Sequence, residues 1–314
     1  MTISSMTRMV DTPRRRWLRG TVTGLLFLCV CLSWGTTWLG IKIAIESVPP
    51  LTASGLRFLI AFPLFLLFSF IRRAPIFFPR GARGFFVFVT FCYFGLPYYL
   101  LNYGEIHVSS GLTALIFSCM PVFILAFSAV VLRERIYVSQ ILGIAIGFGS
   151  LFMILHVQGI SIDHAEFKGV LAILGAAVLH AMCYVVTKKK GSEISVITYN
   201  TLPIGIAGLM LFTLGLVVET PSFTNITARS WWALAYLGIF ASVGGFIVYF
   251  VLLKRLSPVV LSFVFIIFPV FAVILGAWYE GLSISRELVL YSLLLLVGFA
   301  ITKVPLERLR VPRS

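Results

Sequence analysis

The feature that most constrains this chain is a succession of apolar runs, each about 20 residues long and nearly free of charge. Ten occur, over residues 21–45, 51–71, 85–104, 111–132, 137–157, 169–187, 197–218, 231–253, 258–279 and 286–304. A helix rises ~1.5 Å per residue, so a run of this length crosses a hydrocarbon layer of ~30 Å. Barrel strands would be shorter and would alternate in polarity, which these runs do not. Pro49-Pro50, Arg72-Arg73-Ala74-Pro75, Arg133-Glu134-Arg135, Lys188-Lys189-Lys190-Gly191, Thr220-Pro221 and Lys254-Arg255 stand at the breaks, where residues of this kind end helices. Of the 314 residues 60% are hydrophobic and 11% charged, against ~25% charged in a soluble domain. The solvent for most of the chain must be lipid, and the fold class expected is all-α integral membrane.

Arg14-Arg15-Arg16 precede the first run as they would in a signal peptide. The run is too long for one, and no small-residue cleavage site follows, so it reads as the first span. A net charge of +14 would suit nucleic acid if the positives formed one patch. Instead they sit in short clusters between spans, the pattern of cytoplasmic loops, and no nucleic-acid partner is expected. With the amino terminus inside, 20 of the 25 Lys and Arg face the cytoplasm and four the exterior, with Arg57 left within a span. This predicts a multi-pass protein of the inner or plasma membrane with both termini cytoplasmic. Cys29, Cys31, Cys92, Cys119 and Cys183 all lie in apolar runs. They suggest neither a disulfide framework nor a zinc site, so they read as packing residues.

The one long polar connector, at 158–168, divides ten spans into two sets of five. The organisation expected is a cytoplasmic tail at 1–20, a first half at 21–157, an external linker at 158–168, a second half at 169–304 and a cytoplasmic tail at 305–314. Because five is odd, the halves enter the membrane from opposite sides, as inverted repeats do. Matching motifs support the division. Trp34-Gly35 precedes Lys42 by eight residues, and His180-Ala181 precedes Lys188 by eight. Pro121-Val122-Phe123 recurs as Pro269-Val270-Phe271; Glu134 and Gly149 follow the first, Glu280 and Gly298 the second.

In the order of these motifs the chain resembles the ten-helix EamA branch of the drug/metabolite transporter superfamily. Trp34-Gly35 with Lys42 and Pro49-Pro50, Arg57-Phe58, Ser109-Ser110-Gly111, and Pro121 running to Glu134, Gln140, Gly143 and Gly149 carry the first half. Tyr249, Lys254-Arg255-Leu256-Ser257-Pro258, Pro269-Val270-Phe271 and Glu280 carry the second, and Asn102-Tyr103-Gly104-Glu105 is similar to a subset with an acidic residue there. The resemblance implies a 5+5 inverted repeat and export of an amino acid or related compound. Two positions depart from the family pattern. Glu280 stands two residues early, ~200° around the helix from the place that would make it the counterpart of Glu134. His180 stands where the family often has Trp.

Ionisable groups inside spans are costly and therefore candidates for function. His180 is the deepest, either a neutral imidazole bonded to a neighbouring helix or a cavity-lining donor. Arg57 either snorkels outward or offers its fork to an anionic substrate group, Glu46 or Glu105. Lys42 suits interfacial anchoring, and Glu105 and Glu134, at helix ends, suit solvated charges or ion pairs. Trp34, Trp38, Tyr98, Asn102, Ser118, His180, Tyr184, Tyr249 and Ser262 are expected to line a substrate cavity, with Tyr98 and Asn102 on one face at i,i+4. Pro121 and Pro269 lie mid-span as helix bends, and Ser118 and Ser262 bring hydroxyls close before them. Gly143 and Gly147 form G-x-x-x-G, a close helix contact.

No Walker A, H-E-x-x-H or G-x-S-x-G constellation is present, and no cofactor or metal is expected. The function expected is secondary transport of a small-molecule metabolite through the bilayer by alternating access, with protons a candidate coupling ion. The competing readings are a membrane-embedded enzyme acting on a lipid-linked substrate and a non-transporting receptor or scaffold.

Overall fold

The apolar runs form helices. The computed structural model describes residues 13–159, 165–191, 193–253, 255–256 and 264–303, and its regular elements among them are helical. They are α1 (Pro13–Ile45), α2 (Pro50–Arg72), α3 (Arg80–His107), α4 (Ser110–Val131), α5 (Val138–Val157), α6 (Ala165–Lys190), α7 (Val196–Val218) and α8 (Ala228–Tyr249, continuing to Leu253). Then come α9 (Val264–Glu280) and α10 (Arg286–Lys303). Among the described residues, eight helices are long and apolar enough to cross a membrane.

Side chains are distributed inside out relative to a soluble protein. Val130 and Trp278 are 79% and 78% exposed, in a jacket of Leu, Ile, Val and Phe, while Thr52, Ser54, Arg57, Asn102, Glu105 and His180 are buried. Such a surface is stable only against hydrocarbon, where backbone polar groups must be satisfied within the helices. Helix ends meet that demand with side chains. Ser109, Ser195 and Thr227 cap α4, α7 and α8. The Glu219 carboxylate, at the end of α7, accepts from the amides of Leu51 and Thr52 at 2.8 and 2.9 Å at the start of α2. Glu280, ending α9, likewise accepts from the Ser110 amide and hydroxyl at 2.9 and 2.6 Å at the start of α4. A carboxylate facing a helix amino terminus is electrostatically favoured.

The main packings are α2 with α7, α5 with α10, α4 with α9, α3 with α6, α1 with α8, α4 with α6, α1 with α9, α3 with α7, and α2 with α8. Exchanging each helix with the one five places along maps this set onto itself. The α5–α10 crossing is a close one. A Cβ at Gly298 would meet the Gly143 carbonyl and the Gly147 amide, each at 2.7 Å, so the G-x-x-x-G contact is made with α10.

Three irregularities shape the centre. α3 contains a π-helical segment at Thr90–Gly95, and α8 contains one at Leu237–Gly244. α4 breaks at Ser118–Cys119, so that Pro121 falls in the first turn of the following segment, where its missing N–H costs nothing. α9 by contrast runs on through Pro269, so bends at both prolines are not matched by breaks at both. Chemistry before each proline separates them. The Ser118 hydroxyl donates to the Leu115 carbonyl at 2.6 Å, and Cys119 N–H to Ile116 at 3.1 Å. The residue three before Pro269 is Ile266, which has no hydroxyl to take up a carbonyl.

Candidate functional site

Seven helices, α1, α2, α3, α4, α6, α8 and α9, line a cavity of about 100 Å³. α1 presents Trp34, Thr37, Trp38 and Ile41 to it, the i, i+3, i+4, i+7 stripe of one helix face. α6 presents His180 and Tyr184 one turn apart, and α3 presents Tyr93, Tyr98 and Leu101. Arg57 enters from α2, Phe117 and Met120 flank the break in α4, and Phe246, Phe265 and Phe268 close the side made by α8 and α9.

The walls are mostly aromatic and hold one another in place. The Trp34 ring stacks on Tyr249 at 5.2 Å between centroids and leans on Phe265 at 5.7 Å. Trp38 lies 5.1 Å from Phe117. His180 meets Tyr93, Tyr98 and Phe117 edge-on at 4.9, 5.5 and 5.5 Å. Its Nδ1 lies 2.9 Å from the Ala176 carbonyl. That oxygen only accepts, so Nδ1 carries a proton. The partner is thus one turn back on the same helix, not on a neighbour. Tyr93 donates to the Tyr184 hydroxyl at 3.5 Å.

Arg57 is 5% exposed and does not snorkel. Its Nε donates to Ser242 Oγ at 3.1 Å, and its guanidinium carbon lies 5.0 Å from the centre of the Tyr98 ring. Nη1 is buried without an acceptor. Among the described residues, no Asp or Glu lines the cavity.

Several sequence candidates fall elsewhere. Asn102 bonds the start of α2, through Pro50 O at 3.2 Å and Ser54 Oγ at 2.9 Å, because Leu101 takes the cavity-facing place on that turn. Ser118 is spent on the helix break. Tyr249 backs Trp34, and Ser262 lies outside the described residues. Lys42 is held within the helices. Its Nζ donates to the carbonyls of Glu105 and Val108 at 2.7 and 3.1 Å, tying off the end of α3, and lies 4.0 Å from Glu280. Glu134 pairs with Lys188 at 2.8 Å in an exposed contact, whereas Glu105 is no solvated end charge: it is fully buried and neither carboxylate oxygen has a hydrogen-bond partner. α3 continues past it to His107 and crosses α6 where Gly104 and Gly169 meet.

Lys42 and Lys188 hold equivalent places eight residues beyond Trp34 and His180. Each approaches a glutamate downstream of a mid-span proline, Glu280 at the end of α9 and Glu134 just beyond α4. Their surroundings differ: Glu280 is mostly buried and also accepts from Ser110, whereas Glu134 is exposed. Tyr93 is the main lining residue that spacing conceals. Positions 93 and 98 are ~140° apart on a regular α-helix, and the π-helical segment between them rotates both toward the cavity.

Comparison with known proteins agrees with this architecture. The model of the EamA-like transporter family matches twice, at residues 22–156 and 167–303. A protein of Buchnera aphidicola subsp. Schizaphis graminum described as an uncharacterized transporter is 37% identical over 287 residues, 90% of this chain and 94% of that one. An Escherichia coli protein described as a probable amino-acid metabolite efflux pump is 27% identical over 244 residues, 74% of this chain and 78% of its own. A crystal structure aligns over 93% of this chain and 99% of its own with a TM-score of 0.64 at 20% identity, a likeness of fold.

Proposed function

This chain belongs to the EamA-like transporter family, and we propose that it carries a small organic metabolite across the inner or plasma membrane by alternating access. It has ten spans, α1–α10, in two inverted halves at 21–157 and 169–304. The helix packings that map onto themselves under a five-place exchange support this organisation, as do the paired π-helical segments and the Lys42–Glu280 and Lys188–Glu134 pairs. Both termini are cytoplasmic, as the bias of Lys and Arg implies.

The observation that carries the reading is the aromatic cavity at the crossing of helices from both halves, the place where repeat-built transporters bind their cargo. Trp34, Trp38, Tyr98, His180 and Tyr184 line it and form the substrate site, and the break at Pro121 supplies the pivot. The direction is export, and the cargo is an amino acid or related compound, in line with the description of the Escherichia coli relative. Flux of labelled metabolites through the purified protein in liposomes, with and without a pH gradient, tests this. The expected result is saturable flux that falls at least ~10-fold, a barrier change of about 1.4 kcal/mol, in both His180→Ala and Tyr98→Ala. Full transport by both variants would remove the site assignment.

A further inference from the structure

Arg57 is a cation with an unfinished set of partners. A guanidinium presents five donors in a rigid fork and keeps its charge in a protein. Here Nε is committed to Ser242, the Tyr98 ring faces the guanidinium carbon, and Nη1 has no acceptor although the residue is 5% exposed. A buried charge left unpaired is strongly unfavourable. No carboxylate is among the described residues lining the cavity. The buried acid Glu105 does not complete the fork, since neither of its oxygens accepts a hydrogen bond.

We propose that Arg57 is the anion-binding point of the cavity, and that the transported metabolite is a small carboxylate whose apolar body lies among Trp34, Tyr93, Phe117 and Phe265. The proposal rests on the transporter reading and names its substrate class. An oxyanion at Nη1 completes the fork with a charge-assisted bond, the kind of contact in which Arg excels. Ser242 and Tyr98 hold the guanidinium in place before the ligand arrives. Because no acidic side chain is among the described residues lining the cavity, an ammonium group meets aromatic faces and neutral acceptors there but no counter-charge. The carboxylate is therefore required and an α-amino group is not.

The test uses the full-length protein in liposomes. Leucine, phenylalanine and their α-hydroxy acid analogues are each paired with the corresponding carboxamide, and phenethylamine is added as a cation. Flux is measured beside quenching of tryptophan fluorescence. The expected result is that amino and hydroxy carboxylates bind and move comparably, while each amide is weaker by a factor of ~10 or more. Arg57→Gln, if it elutes as a folded protein, abolishes the preference for acid over amide, and Arg57→Lys, which keeps the charge without the fork, retains part of it. Equal handling of acids and amides by the wild type, or an undiminished preference in Arg57→Gln, overturns the proposal. Flux of the amides or the amine in place of the acids overturns it while leaving the transporter reading standing. Absence of flux for every compound overturns both.

Discussion

At the scale of single residues, the structure separates glycines that the sequence makes look alike. Gly149 and Gly298 stand at nearly the same distance after Pro121 and Pro269. A Cβ on Gly298 would meet backbone of Gly143 and Gly147, whereas one on Gly149 would meet nothing within 4 Å. Backbone cannot rotate away as a side chain can, so Gly298→Ala is expected to destabilise by ~1–3 kcal/mol. Gly149→Ala is expected to be neutral or slightly stabilising, since it replaces a helical glycine. Thermal unfolding in detergent measures both, and equal midpoints for the two variants would show that α5 and α10 do not cross this closely. The same limit explains the site. Trp34, Trp38, His180 and Tyr184 were legible, because polar and aromatic residues at helical spacing within a span stand out against Leu and Val. Asn102 was misplaced because i,i+4 residues on a 3.6-residue helix differ by ~40°, enough to turn one to the cavity and the other to Ser54.

At the scale of elements, the spans were readable from length and hydropathy alone, since lipid leaves the backbone only one open-ended solution. The interruptions were not. The π-helical segments of α3 and α8 carry no proline or paired glycine within them that would announce a change of pitch, yet they decide that Tyr93 and Ser242 face inward. Pro121 did announce itself, and its effect is larger than a bend. It opens a new segment, with the Ser118 hydroxyl and the short Cys119–Ile116 bond taking over the backbone groups at the break. Restoring an N–H at this point lets α4 run straight between Phe117 and Met120, both on the cavity wall. Pro121→Ala is therefore expected to fold with unchanged or greater stability and to transport ~10-fold more slowly, about 1.4 kcal/mol on the barrier. A wild-type rate in liposomes would reduce the break to a packing detail.

At the scale of the whole molecule, alternating access needs the two ends of the cavity to close by different contacts, and the two lysine pairs differ in that way. Lys42 reaches across from α1 to two carbonyls at the end of α3 and toward Glu280 on α9, with its side chain 23% exposed. Through the bonds of Glu280 to Ser110 it also reaches the start of α4. Four helices thus converge on one half-buried ammonium. Lys188 meets Glu134 with its side chain 66% exposed, a surface pair worth roughly 0–1 kcal/mol. Among the described residues Lys42 is thus the more deeply engaged of the two lysines and Lys188 the more exposed. Lys42→Met removes the convergent contacts and leaves the α3 carbonyls without their cation, and transport is expected to fall ~10-fold or more, in keeping with the cost of unmaking partly buried charged hydrogen bonds. Lys188→Met is expected to stay within about twofold of the wild type, as a screened surface pair allows. The discriminating measurement is flux through both variants at low and high salt. Screening should barely alter the Lys42 effect and should erase any small Lys188 effect. The reverse order of sensitivities would make Lys188 the more deeply engaged lysine.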